Sequence, residues 1–248
     1  MHIPSFKPIF PWHLARTAAL SLGCVFSLAA AAPAESVFTP LAAQGSIGTI
    51  VCKGRGGPFV TNASLVEKSD LVLAVSHFNY HRGTGRELPA ENCEFQTRDN
   101  EGRVIFSSSF SVIERGGRGR ELNESFAIDW AVLRLDRAAP GVPLKLAGNK
   151  PYNWNNAALA FYRPVVSGNS TFQMDMGCRP KRQRHGSIVL LHDCTTKPGW
   201  SGAPLLVPMG DRYGLIAIHA KRTKSSGVAI ALEGALRKAI EARARTAA

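Results

Sequence analysis

The sequence lacks several features, and each absence excludes a class of protein. No apolar run after residue 32 is long enough to cross a lipid bilayer, so a stable membrane anchor is not expected. No internal repeat is evident, which argues against a repeat architecture. Histidine, aspartate and cysteine do not occur at zinc-ligand spacing. We therefore expect neither a metal nor an organic cofactor.

Acidic residues are scarce, with 18 Asp and Glu against 30 Lys and Arg. The net charge of +12 favours association with anionic surfaces or acidic peptides. Basic residues cluster at 115–120 and at 179–185, and both clusters are typical of solvated hairpin loops. Neither contains the aromatic side chains on which nucleic-acid bases stack, so no nucleic-acid partner is expected.

The N-terminal segment is typical of a secretory signal. Lys7 and Arg16 supply positive charge, the following residues to position 32 are largely apolar, and small residues offer cleavage sites. We predict that residues 1–34 are a cleaved signal peptide and that the protein is secreted or periplasmic. A lipoprotein signal at Cys24 is the alternative, although Ser21 stands where such signals need an aliphatic residue.

The most informative segment is KPGWSGAPLL, which ends at residue 206. Ser201 lies there in a glycine-flanked turn directly before an apolar strand. A serine hydroxyl becomes a nucleophile when a base takes its proton and donors hold the developing oxyanion. A turn of this kind can aim the backbone N–H groups of Gly199 and Ser201 at one point, and glycine readily adopts the angles required. Taken alone, the segment fits an ordinary turn between strands equally well.

Two residues upstream change that balance. His77 follows the apolar run LVLAV, and Asp129 precedes the alternating run WAVLRL. A lone histidine in such a place is more often a satisfied core residue, and a local turn can satisfy a strand aspartate. The chain order His, Asp, Ser is, however, that of the chymotrypsin-type triad.

These segments resemble the chymotrypsin superfamily of serine proteases. VLAVSHF, IDWAVLRL and KPGWSGAPLL stand where the family has its catalytic histidine, aspartate and serine, and GLIAIH is similar to its substrate-flanking strand. The resemblance spans roughly residues 45–240 and is nearer to the bacterial trypsin-like and glutamyl-endopeptidase-like branch. It implies that His77 is the base, that Asp129 orients it, that Ser201 is the nucleophile, and that the Gly199 and Ser201 amides form the oxyanion hole.

The fold that the resemblance implies is all-β, with two antiparallel β-barrels packed face to face. Short apolar runs separated by Gly, Pro, Asn and Ser support many short antiparallel strands. We predict one barrel over residues 35–145 and the other over 146–248, with the linker at 138–151. The active site would then lie in the crevice between the barrels.

A C-terminal helix is predicted from Leu232, Leu236 and Ile240, which recur at four-residue spacing. Charged residues occupy the opposite face. Such a helix either docks on a barrel or lies on an anionic membrane, and we favour docking.

Signal cleavage removes Cys24 and leaves Cys52, Cys93, Cys178 and Cys194. An even count in an exported chain indicates two disulfides, and four cysteines allow three pairings. If the two halves are separate barrels, as the resemblance implies, Cys52–Cys93 and Cys178–Cys194 are favoured. Each bridge then stays within one half.

Two residues depart from the family pattern. Phe78 follows the histidine where many members carry a cysteine. Trp200 precedes the serine where vertebrate digestive members have the aspartate that receives a newly cut N-terminus. Activation by N-terminal insertion is therefore not expected, and Trp200 either wedges the turn in a competent shape or blocks it.

Substrate preference follows from the resemblance as well. Thr195 and Thr196 would form the pocket floor with Lys197, where no carboxylate is present to receive Arg or Lys. His219 stands where glutamyl endopeptidases carry a histidine that meets the substrate carboxylate. We predict a serine endopeptidase that acts on polypeptides and prefers acidic residues before the cut. A catalytically silent protease-fold binding protein and an esterase using the same triad are the alternatives.

Overall fold

The computed structural model describes six stretches of the chain, which are 45–54, 58–81, 85–148, 154–163, 169–210 and 212–246. The predicted signal peptide and part of the predicted linker lie outside the described residues. No helix within these stretches is long and apolar enough to span a membrane.

Nine strands are described before residue 136. They are β1 (Ile47–Cys52), β2 (Phe59–Val66), β3 (Lys68–Ala74), β4 (Tyr80–His81), β5 (Arg86–Glu87), β6 (Cys93–Arg98), β7 (Val104–Ser108), β8 (Phe110–Arg115) and β9 (Ala131–Leu135). Seven of these described strands form one antiparallel sheet in the order β7-β6-β1-β2-β3-β9-β8, while β4 and β5 pair separately. Strand β3, between β2 and β9, ends in Leu71–Ala74, which are fully buried, as expected for its apolar sequence.

The second sheet contains the remaining described strands. They are β10 (Lys145–Leu146), β11 (Ala157–Tyr162), β12 (Phe172–Cys178), β13 (Lys181–Arg182), β14 (Val189–His192), β15 (Pro204–Met209), β16 (Arg212–Arg222) and β17 (Gly227–Ala231). Their order is β12-β11-β15-β16-β17-β14-β13, and β10 pairs in parallel with β16. Both sheets are curled into half-barrels, so the predicted all-β architecture is confirmed.

Two helices among the described residues complete the fold, α1 (Glu121–Glu124) and α2 (Gly234–Arg245). The second is the predicted C-terminal helix, and it buries Leu236, Ala239 and Ile240 in a hydrophobic core that both sheets line. A smaller cluster in the second half contains Trp200 and Phe161.

The two basic clusters differ in structure. Residues 179–185 run into the hairpin of β13 and β14, as the sequence predicts. Residues 115–120 also lie in a hairpin connection, because β8 and β9 pair antiparallel on either side of it, but this connection is longer and contains α1. Its glycines pack closely. A Cβ at Gly116 would lie 2.5 Å from the Ile128 carbonyl oxygen.

The structure contains the two disulfides that the sequence analysis favours, Cys52–Cys93 and Cys178–Cys194. Cys52 and Cys93 are directly opposite each other on β1 and β6. Cys178 ends β12, and Cys194 follows β14 at the start of the segment that leads to Ser201. The first bridge therefore joins two sheet neighbours, and the second closes a loop.

Candidate active site

His77 and Asp129 meet because the strands that carry them are neighbours. Strands β3 and β9 pair antiparallel, with Ala74 opposite Ala131, so the end of one strand lies beside the start of the other. The sequence predicts a strand that extends to His77. In the structure, β3 ends at Ala74, and His77 lies in a 3₁₀ turn, Ser76–Asn79. A second 3₁₀ turn immediately precedes Asp129.

The carboxylate of Asp129 accepts two hydrogen bonds from His77. Its Oδ2 lies 2.7 Å from His77 Nδ1, and its Oδ1 accepts the His77 backbone N–H at 3.0 Å. Asp129 is fully buried and His77 is 8% exposed. Because a carboxylate only accepts, Nδ1 must carry a proton, and the neutral ring then presents a lone pair at Nε2.

Ser201 lies in the turn before β15, and both half-barrels hold this turn. Its carbonyl oxygen accepts the Asn62 backbone N–H at 2.7 Å, from the first sheet. The next residue, Gly202, donates its N–H to the His219 carbonyl at 2.7 Å, in the second sheet. The Ser201 hydroxyl donates to the Ala220 carbonyl at 3.2 Å. Proton transfer to His77 requires that this hydroxyl turn away from Ala220.

Glycine is required on both sides of this turn. Gly199 and Gly202 have φ angles of 88° and 83°, a region that side chains disfavour. The backbone N–H groups of Gly199 and Ser201 make no hydrogen bond to another described group. Two unpaired donors beside a serine hydroxyl form an arrangement that can stabilise an oxyanion.

Trp200 packs against the second half-barrel. It is 6% exposed, and its ring stacks on Phe161 of β11 with ring centroids 3.6 Å apart. Its backbone N–H donates to the Lys197 carbonyl and its carbonyl accepts from Ala203. Of the two interpretations left open by the sequence, this packing supports the wedge.

A cavity beside the Ser201 turn has a basic lining. Its lining residues are Asp193, Cys194, Thr195, Thr196, Lys197, Arg222, Lys224, Ser225, Ser226 and Gly227. The carboxylate of Asp193 is bound to Arg179, through the backbone N–H at 2.7 Å and Nε at 2.8 Å, and these hydrogen bonds lower the pKa of Asp193. Three cationic side chains therefore face the cavity without a competing free carboxylate among its lining residues.

His219 stands behind this cavity and is not one of its lining residues. It is 2% exposed, and its Nδ1 lies 3.0 Å from Nε2 of His192, which is equally buried. Burial lowers the pKa of His219 to about 3 and that of His192 to about 4. Both rings are consequently neutral at physiological pH.

A third group of polar residues supports the pocket floor. Asp175, Cys178 and Cys194 place potential metal ligands within 4.8 Å of one another in the described part of the chain. The two sulfurs are joined in a disulfide, and Asp175 Oδ2 accepts the Thr195 backbone N–H at 2.6 Å. These contacts explain why the three residues cluster, because they brace the loop that carries Thr195.

Sequence reasoning missed Asn62 and His192. Asn62 carried a usable signal, because asparagine is disfavoured inside an apolar strand such as FVTNASLV. His192 had no signal of its own, since only the pairing of β14, β16 and β17 brings it beside His219.

Comparison by sequence gives one family. Residues 48–215 match the family described as "Trypsin-like peptidase domain", and this range includes His77, Asp129 and Ser201. No curated protein matches the chain.

Comparison by structure gives similar folds at low sequence identity. A Glu endopeptidase in complex with MPD has a TM-score of 0.63 and 14% identity, covering 84% of this chain and 94% of that one. The protease Anisep from Arthrobacter nicotinovorans has a TM-score of 0.61 and 12% identity, covering 85% and 99%. The thermostable serine protease AL20 from an extremophilic microorganism has a TM-score of 0.57 and 16% identity, covering 83% and 100%. At these identities the likeness concerns the fold.

Proposed function

The chain belongs to the trypsin-like peptidases, has their chymotrypsin-like fold and is a serine endopeptidase, and from this premise we propose that His77, Asp129 and Ser201 are its catalytic triad. The observation that carries the proposal is the pair of hydrogen bonds from His77 to the buried Asp129 carboxylate. That pair leaves His77 Nε2 free of the proton that Nδ1 carries, which is the tautomer a general base needs.

The proposed reaction proceeds through an acyl-enzyme. His77 Nε2 takes the Ser201 proton while Oγ bonds to the substrate carbonyl carbon, and the π electron pair moves to the carbonyl oxygen. The Gly199 and Ser201 N–H groups donate to this oxyanion, and loss of one such donor typically lowers kcat by about 10²–10³. The C–N bond then breaks, and the proton passes from His77 to the leaving amine. Water repeats the sequence to release the acid and restore Ser201.

Covalent labelling with a fluorophosphonate tests the triad. We expect the wild type to be labelled at Ser201, and Ser201→Ala and His77→Ala to remain unlabelled. Ser111→Ala and His185→Ala, which change exposed residues outside the cavity, serve as matched controls and should label normally.

Each other outcome points elsewhere. Labelling that persists in Ser201→Ala would remove the proposed nucleophile. A folded wild type that is not labelled would favour the silent binding protein. Hydrolysis of esters without hydrolysis of matched peptides would favour the esterase.

We further propose that the enzyme prefers Glu or Asp before the scissile bond. Lys197, Arg222 and Lys224 line the cavity beside the nucleophile turn, and Arg179 already binds Asp193. A carboxylate side chain entering this cavity would therefore meet positive potential, whereas a lysine or arginine side chain would be repelled.

His219 supports the same preference through its tautomer. An orphaned buried N–H is rarer than an orphaned acceptor, and Nδ1 of His192 is buried without a hydrogen-bond partner. This favours a bare Nδ1 on His192, with its Nε2–H donating to His219 Nδ1. Neutral His219 then carries a proton on Nε2, and a substrate carboxylate that reaches beyond the lining residues of the cavity would accept a hydrogen bond from it.

Peptides that differ only in Glu, Gln or Lys before the cut test the preference. We expect kcat/KM to be highest for Glu and lowest for Lys. Arg222→Gln with Lys224→Gln should reduce the advantage of Glu over Gln, whereas Lys238→Gln, an exposed change on α2, should not. His219→Ala should lower turnover of the Glu peptide roughly tenfold to hundredfold. A preference for Lys, or a Glu-to-Gln ratio that no variant alters, would contradict the proposal.

We also propose that the protein is exported from the cytoplasm. The predicted signal peptide, residues 1–34, supports a secreted or periplasmic location, and two disulfides are compatible with an oxidising compartment. N-terminal sequencing of the mature protein should find a start near residue 35. An intact Met1 on a cytoplasmic protein with free thiols would contradict export.

The hairpin of β13 and β14, which contains the basic cluster 179–185, supports our further proposal that the protein associates weakly with anionic surfaces. Glu233 pairs with Arg182 and Asp193 with Arg179, while Lys181, Arg184 and His185 are exposed. We expect salt-sensitive binding to anionic vesicles that Lys181→Gln with Arg184→Gln reduces.

A further inference from the structure

Asn62 connects the first half-barrel to the nucleophile turn through its side chain as well as its backbone. It lies in the middle of β2 and is fully buried. Its side-chain Nδ2 donates to the Gly199 carbonyl at 3.1 Å, and its backbone N–H donates to the Ser201 carbonyl at 2.7 Å. One residue of the first sheet therefore holds the carbonyl groups on both sides of Trp200.

The rest of the Asn62 amide is tied to the second sheet. Its Oδ1 accepts the Tyr162 backbone N–H at 2.7 Å, and Nδ2 also donates to the Tyr162 carbonyl at 3.3 Å. The side chain thus makes the two hydrogen bonds that a paired strand would make at the end of β11. Both of its N–H donors and its oxygen are used, so the amide has one orientation.

The nucleophile turn needs such an anchor because glycine flanks it on both sides. At Gly199 the backbone has a φ of 88° and no side chain to restrict rotation of the adjoining peptide groups. Each carbonyl that Asn62 holds belongs to a planar peptide group, which joins Gly199 to Trp200 in one case and Ser201 to Gly202 in the other. Hydrogen bonds that fix these two groups therefore limit the rotation of the peptide groups next to them, which carry the Gly199 and Ser201 N–H.

We propose that Asn62 is a positioning residue that aims the oxyanion donors of this enzyme. The inference rests on the proposed function, since it assigns to Asn62 the alignment of the Gly199 and Ser201 N–H groups. Asn62 contacts neither the reacting atoms nor the substrate in this scheme. Its effect should appear in the transition state, where the oxyanion forms, and be small in substrate binding.

Asn62→Asp is the sharpest test, because it keeps the shape and the acceptor for Tyr162 but removes both Nδ2 donors. We expect kcat to fall about 10²–10³-fold, as for loss of an oxyanion donor, with KM changed less than about threefold. The affinity of a peptide aldehyde, which forms an oxyanion, should fall in parallel with kcat. The affinity of a product peptide should not change.

Ser64→Ala is the matched control. Ser64 lies two residues further along β2, is also fully buried, and its hydroxyl has no hydrogen-bond partner. Its replacement should leave kcat and aldehyde affinity unchanged. Asn62→Thr, which suits a β-strand and retains one donor, carries the test if Asn62→Asp does not fold.

The outcomes separate this inference from the proposed function. A folded Asn62→Asp or Asn62→Thr with wild-type kcat overturns the positioning role, as does a loss confined to thermal stability or to KM. Fluorophosphonate labelling of the wild type is measured alongside. If the wild type is not labelled, the triad proposal fails. If the wild type is labelled and the Asn62 variants are as active as the wild type, only the proposed role of Asn62 fails.

Discussion

The two half-barrels hold their parts of the active site by different means. The first half-barrel brings His77 to Asp129 through the register of two paired strands, and the contact is buried and hydrogen-bonded. The second carries Ser201 in a glycine-flanked turn that depends on hydrogen bonds from outside itself, including those from Asn62. Strand pairing makes the positions of His77 and Asp129 rigid, whereas the Ser201 turn has its geometry only when both half-barrels are in place.

Removal of the disulfides should reveal the largest difference between the two half-barrels. Cys52–Cys93 spans 41 residues and Cys178–Cys194 spans 16. Loop entropy then gives about 4 kcal/mol for the first bridge and about 3 kcal/mol for the second. We expect Cys52→Ser with Cys93→Ser to lower the free energy of unfolding more, and Cys178→Ser with Cys194→Ser to lower kcat/KM more, because Cys194 lines the pocket.

Urea unfolding and peptide kinetics on both double variants measure these effects. Equal losses of activity, or a larger loss of stability from the second pair, would contradict the assignment. Non-reducing peptide mapping of the wild type provides the control, since a peptide linking Cys93 to Cys178 would show the pairing to be wrong.

Two glycines with similar backbone angles test the contact between the halves. Gly202 and Gly210 have φ angles of 83° and 73°, but a Cβ at Gly202 would lie 1.8 Å from the Asn62 carbonyl oxygen, while one at Gly210 meets nothing within 4 Å. Both alanine substitutions carry backbone strain, and only Gly202→Ala also forces the halves apart. We expect it to destabilise by about 1–3 kcal/mol more than Gly210→Ala and to reduce activity.

Thermal unfolding and active-site labelling of the two variants measure the difference. If Gly202→Ala and Gly210→Ala lose the same stability and label equally fast, the turn does not depend on close packing against Asn62.

Acid should weaken the second half-barrel through its histidine pair. The pKa values of His192 and His219 are lowered to about 4 and about 3, whereas an unfolded histidine has a pKa near 6.5. As the pH falls below 6.5, the unfolded chain binds protons that the folded protein does not, so stability decreases until the pH reaches the folded pKa values. Each histidine contributes up to about 1.4 kcal/mol per pH unit in that window.

Urea titrations between pH 7 and pH 5 measure this slope. We expect it to be shallower in His192→Gln and in His219→Gln than in the wild type. His185→Gln, an exposed change, should keep the wild-type slope. Identical slopes in all four proteins would show that the buried pair does not set the acid sensitivity.

Several features of the site could be predicted from the sequence because their signals are local. A glycine-flanked serine before an apolar strand, a histidine after one and an aspartate before another each depend on a few adjacent residues. The C-terminal helix follows in the same way from apolar residues at helical spacing, and Leu236 and Ile240 are buried as expected. The hairpin connection at 115–120 was also predicted, whereas the short helix α1 inside it was not.

The pocket was less predictable. Thr195 and Thr196 line the cavity, but His219, which was expected on its wall, lies behind it against His192. Arg222 ends β16 and Lys224 lies in the turn that follows, and the pairing of β16 with β17 brings them to the pocket. A strand pattern shows that a side chain is buried, but not which residue of another strand faces it.

The sequence by itself determined the chain order of the proposed triad residues, the all-β character and the C-terminal helix, because turn chemistry and hydrophobic periodicity act over short distances along the chain. Only the tertiary structure decided that Trp200 stacks on Phe161 and that Asn62 reaches Gly199, 137 positions away. It also decided that the two buried histidines face each other. Such contacts depend on how the two sheets curl and pack, and no local pattern of residues encodes that geometry.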